Sequence, residues 1–97
     1  MFGWFDAREA KHFGASLAAF YIAQVPVEMK LSDKKFAART QSTLRTMAGK
    51  VESFKAAHGL NGYKKAQLGN AFKWALKDAG YDAAYIDKLT DWLVTRL

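Results

Sequence analysis

Cysteine is absent from these 97 residues, and proline occurs once, at Pro26. Without thiols there is no disulfide and no thiolate metal site; the redox compartment is left open, with a cytoplasmic location as the default expectation. Scarce proline and the lack of any low-complexity run argue against disorder. A long hydrophobic run is missing too. The stretch from Phe13 to Val25 carries no charge, but a membrane-spanning helix needs about 20 apolar residues. Asp6 and Glu9 precede that stretch, whereas a secretory leader is basic, so no cleaved signal is expected.

Catalytic patterns are equally thin. His12 and His58 stand apart on different helices, with no second histidine at metal-binding spacing from either. No phosphate-loop or dinucleotide glycine pattern occurs. A nucleophile needs a base within hydrogen-bond reach, and no part of the sequence brings one together. The expectation is a protein with no enzymatic activity, no cofactor and no metal.

What the chain does have is apolar material and positive charge. Hydrophobic residues make up 51 % of it, including seven Phe, four Tyr and three Trp, enough for one modest core in one domain. The formal charge is +6, from fifteen Lys and Arg against nine acids. Eleven of those bases fall between residues 26 and 80, against Glu28, Asp33, Glu52 and Asp78. That central excess favours an acidic partner without specifying one.

Helical periodicity predicts an all-α, single-domain four-helix bundle over residues 1–97. The first helix runs from Asp6 to about Gln24, with Asp6 and Glu9 at capping-box spacing, and Pro26 stops it. A connector follows, in which Leu31 can staple the start of the next helix. The second helix, from Ser32 to about His58, is the longest. Phe36, Thr40, Leu44, Met47, Val51, Phe54 and His58 recur in steps of four and three, a single narrow face that marks it as the spine of the bundle. The turn Gly59 to Gly62 offers two positions for a positive φ. A third helix from about Tyr63 to Ala79 and a fourth from about Asp82 to Arg96 are separated only by Gly80 and Tyr81, so they form a tight hairpin. A helix-turn-helix reading of that hairpin fails on charge. Its reading helix would carry Asp82, Asp87 and Asp91 against Lys88 and Arg96, and phosphates would repel it.

Three surfaces depart from an ordinary solvated exterior. On the third helix, Trp74 falls on the polar stripe with Tyr63, Asn70, Lys73 and Lys77; it is either covered by another segment or an interface anchor. On the second helix, Ser42, Thr46 and Ser53 form a stripe with Gly49, flanked by Arg39 and Lys50 on one edge and Lys34 and Arg45 on the other. This is either a solvated face or a shallow groove for phosphates or an acidic helix. Gly49 costs about 1 kcal/mol relative to Ala in a helix interior, which favours a packing reason for it. On the first helix, Ala15, Ala18, Ala19, Ile22 and Ala23 form a small-residue face suited to close approach of a second copy.

The reading these features favour is a small basic module for protein–protein interaction, self-associating as a homodimer through the alanine face. Sequence-independent nucleic-acid binding through the basic face of the second helix is the first alternative. Peripheral membrane attachment through the aromatic segment Met1 to Phe5 is the second.

Overall fold

The computed structural model describes residues 6–28 and 34–97. The aromatic segment 1–5, the Leu31 staple and the expected helix start at Ser32 fall outside the described residues. Four helices follow in order: α1 (Arg8–Gln24), α2 (Lys34–Ala57), α3 (Gly62–Ala79) and α4 (Ala83–Val94). The all-α class, the long second helix and the short α3–α4 link are as the periodicity predicts.

Cross-helix contacts fix the arrangement. Gly14 faces Leu68 and Ala71, and Tyr21 lies against Tyr81, so α1 and α3 run parallel. Phe13 stacks on Phe54 and Arg39 reaches Gln24, so α2 runs back along α1. Phe36 lies near Tyr85, and Lys55 Nζ donates to the Arg96 carbonyl at 2.9 Å. That places α2 and α4 side by side and parallel.

The centre of the bundle is the α1–α3 pair, not α2. The reason lies in side-chain size. Ala10, Gly14 and Ala18 recur every four residues along α1 and are all buried. Such a smooth ridge lets two helix axes approach more closely than bulky residues allow. A Cβ built at Gly14 would stand 2.3 Å from the Leu68 carbonyl oxygen, so the contact requires glycine. By contrast α2 fully buries only Thr43, Met47 and Val51; Phe36, Leu44 and Phe54 pack against the core half-buried. The expectation that α2 is the spine is therefore corrected: α2 is the longest helix and runs antiparallel along α1 on one side of the central pair.

Around that pair, Leu17 and Tyr21 meet Leu68, Phe72 and Leu76 of α3 and Ile86, Leu89 and Leu93 of α4 in one cluster. Tyr21 is fully buried. Its hydroxyl bonds that of Tyr85, and the Tyr81 hydroxyl donates to the Val25 carbonyl. Burial pushes the Tyr21 phenol above the usual tyrosine range, aided by Tyr85, and raises Tyr81 to about 12.

The helix ends depart from expectation in two places. Ala7, not Asp6, precedes α1 as its cap residue, and it has no side-chain cap bond. Asp6, one residue earlier, still accepts from the Arg8 backbone N–H at 3.2 Å through Oδ1, and it also grips the Arg8 guanidinium, at 2.9 Å to Nε and 2.8 Å to Nη2. Those bonds hold the carboxyl down at about 2. Glu9, spaced for a capping box, turns to His58. In the α2–α3 turn neither Gly59 nor Gly62 adopts a positive φ. The Asn61 side chain caps the start of α3 by accepting from Lys64 N at 2.8 Å. At the next link Gly80 is left-handed at φ 97°, and Asp82 caps α4 by accepting from Tyr85 N at 3.2 Å.

Candidate interaction surfaces

On α3, the face opposite the core stays open. Trp74 is 56 % exposed, more than any other large apolar residue described. Tyr63, eleven residues earlier, is exposed on the same stripe, about 16 Å away along the axis. Asn70 lies exposed between them. The Lys77 ammonium stands 4.8 Å from the Trp74 ring centre, a cation–π contact that orients the indole without covering it. Lys73 leans away, with its Nζ 3.6 Å from Asp87 of α4. Of the two readings of Trp74, covered or exposed, the structure has the exposed one.

The second surface differs from its sequence-based outline. The hollow does not run along the outside of α2. It lies between α1 and α2, with a volume of about 600 Å³. Lys50 and Ser53 line it from α2 together with Gly49. Lys34, Arg39, Ser42, Arg45 and Thr46 are exposed on α2 but outside the hollow. The Thr46 hydroxyl turns back to the Ser42 carbonyl at 3.2 Å, so it does not present itself at a floor. Phenylalanine makes the floor. Phe13 and Phe54 stack with ring centres 4.2 Å apart, and Phe20 lies farther along, with Lys50 Nζ 4.9 Å from its ring centre.

One end of the hollow closes on His58. Its Nδ1 stands 2.7 Å from Glu9 Oε2, and its ring stacks on Phe54 at 4.5 Å. His58 thereby ties the end of α2 to the start of α1. His12 is exposed. Among the described residues no three of His, Asp and Glu gather where they could hold a metal ion.

Gly49 reverses its expectation. A Cβ built there meets nothing within 4 Å among the described residues, so no packing against them accounts for the glycine. The helix carries a penalty of about 1 kcal/mol that no contact with them offsets. Gly14, which does have a packing reason, went unnoticed in the sequence. Its signal was the four-residue spacing of Ala10, Gly14 and Ala18.

The alanine face of α1 is reduced. Ala18 is fully buried against the chain's own core and leaves the candidate self-association surface. It packs there because it continues the ridge of Ala10 and Gly14. Ala15, Ala19 and Ala23 are exposed and Ile22 is half-buried.

No family model, no curated protein and no solved structure matches this chain. Any functional reading therefore rests on the geometry. Among the described residues, no helix is long and apolar enough to cross a membrane.

Proposed function

We propose that this chain is a non-enzymatic interaction module that docks a partner protein through the outer face of α3, with Trp74 as the anchor and Tyr63, Asn70, Lys73 and Lys77 around it. The observation that supports this reading is the 56 % exposure of Trp74 on a helix whose opposite face is fully packed. Large aromatics bury about 150–250 Å² each. At roughly 25 cal/mol per Å², covering the open half of the indole is worth about 2–3 kcal/mol, the size of an interface hot spot. Lys77 holds the ring in place beforehand, which lowers the ordering cost of binding.

The test is cross-linked capture from the native host. Wild-type protein should recover a specific partner that Trp74→Ala loses and Val94→Ala, a control at another exposed apolar side chain, retains. Both variants should unfold at the wild-type temperature, because neither residue belongs to the core. Equal recovery by the Trp74 variant rejects the anchor.

A second reading, sequence-independent nucleic-acid binding, is supported by the exposure of Lys34, Arg39, Arg45 and Lys50 along α2. Lys73 is left out of it because Asp87 engages its ammonium. Affinity for generic DNA should then fall steeply with salt. No detectable complex at low ionic strength rejects it.

A further inference from the structure

The groove between α1 and α2 is separate from Trp74, and four observations there converge. The floor is apolar, built from Phe13, Phe20 and Phe54. Gly49 opens the wall: among the described residues nothing lies within 4 Å of where its Cβ would be, so an incoming backbone can reach the α2 main chain. Lys50 lies over the Phe20 ring and pairs with no carboxylate among the described residues. Finally, the flank of α2 turned toward α1 carries Arg39 and Lys50 and no acid. Glu52, the one acid within α2, lies on the opposite flank beside Lys55.

We propose that this groove binds an acidic amphipathic helix of a partner protein. Bulky apolar residues of the guest at i, i+3, i+4 and i+7 would cover the phenylalanines, the mode by which amphipathic helices fill hydrophobic grooves. Carboxylates on its flank would draw Lys50 off the Phe20 ring into a charge-assisted contact. A helix fits better than a nucleic acid. Phe13 and Phe54 already stack on one another and Lys50 occupies the ring of Phe20, so the ring faces that bases would stack on are engaged. Arg39 also spends a donor on the Gln24 carbonyl at 3.2 Å, which leaves few cations to follow a phosphate chain.

A displayed library of amphipathic helices, with a fixed apolar stripe and randomised flanks, tests this against the full chain. Enriched helices should carry Asp or Glu on the flank. They should bind Gly49→Leu and Lys50→Glu at least ten-fold more weakly than wild type, and Lys50→Glu should select basic flanks instead. Gly49→Ala reports the fold separately. Its melting temperature should rise by about 4 °C, because the site is open and the helix penalty disappears. The proposal is overturned if no helix is enriched, if enriched flanks are neutral or basic, or if Gly49→Leu binds as well as wild type. An oligonucleotide or anionic vesicles that bind wild type but not Gly49→Leu, with no helix enriched, overturn it in favour of those occupants.

Discussion

Thr90 and Tyr81 show how single polar atoms set the stability of this bundle. The Thr90 hydroxyl oxygen is buried without a hydrogen-bond partner among the described residues. An unsatisfied buried hydroxyl costs free energy that an apolar group of the same shape does not. Thr90→Val should therefore stabilise the protein by about 1 kcal/mol, read as a higher urea midpoint; a lower midpoint would show that the hydroxyl is satisfied. Tyr81 shares the alkaline limit with Tyr21. Burial raises the Tyr81 phenol to about 12, above the unfolded value near 10. A raised folded value favours the neutral form, so the stability tied to it is complete below about pH 10 and is lost as pH climbs toward 12. The urea midpoint should fall across that window, and Tyr81→Phe should flatten the fall. An unchanged slope in the variant would assign the alkaline loss to Tyr21, whose phenol is raised further. At this scale the sequence is informative for Asp82, which caps the start of a clearly periodic helix. It is misleading where the partner lies on another helix, as for Glu9 with His58.

Among the helices, the two glycines of the α1 and α2 interiors have opposite meanings. Both weaken a helix by the same intrinsic amount, roughly 1 kcal/mol. At Gly14 that loss is more than recovered by the close approach of α3. Gly14→Ala would force the new methyl against the Leu68 carbonyl, and the resulting shift should cost a net of about 2 kcal/mol, within the range for overpacked cores. Thermal unfolding checks this; a variant as stable as wild type would mean the α1–α3 pair can separate freely. At Gly49 the same substitution meets open space. Sequence spacing treats these positions alike, since periodicity identifies which side of a helix a residue is on but not how near the neighbouring helix comes. For the same reason α2 was ranked above α1. Its seam reads clearly over seven positions, yet seam length says nothing about closeness of packing, which the alanine ridge of α1 decides.

Across the whole molecule, the principal extents are 49 × 24 × 19 Å. The two shorter dimensions correspond to about two helix diameters, so each helix keeps an outer side, and a +6 chain presents three of them as unusual. The self-association expectation belongs to this scale. With Ala18 withdrawn into the core, the remaining face is Ala15, Ala19 and Ala23 with half-buried Ile22. If it joins two copies, light scattering should give a concentration-dependent dimer that Ala19→Arg abolishes; a strict monomer at high concentration removes the claim. Dimerisation, the α3 docking face and the α1–α2 groove involve different residues, so their tests are independent.

From its residues alone the chain specified four helices, their approximate bounds, the α3–α4 turn at Gly80 and Asp82, and the polar-side placement of Trp74. These follow from apolar periodicity and capping chemistry, which act within one or two helical turns. Which helices form the centre, where the groove lies and which glycine is packed were decided only in three dimensions. Those outcomes depend on distances between segments far apart in sequence, set by the closest approach that Ala10, Gly14 and Ala18 permit between α1 and α3.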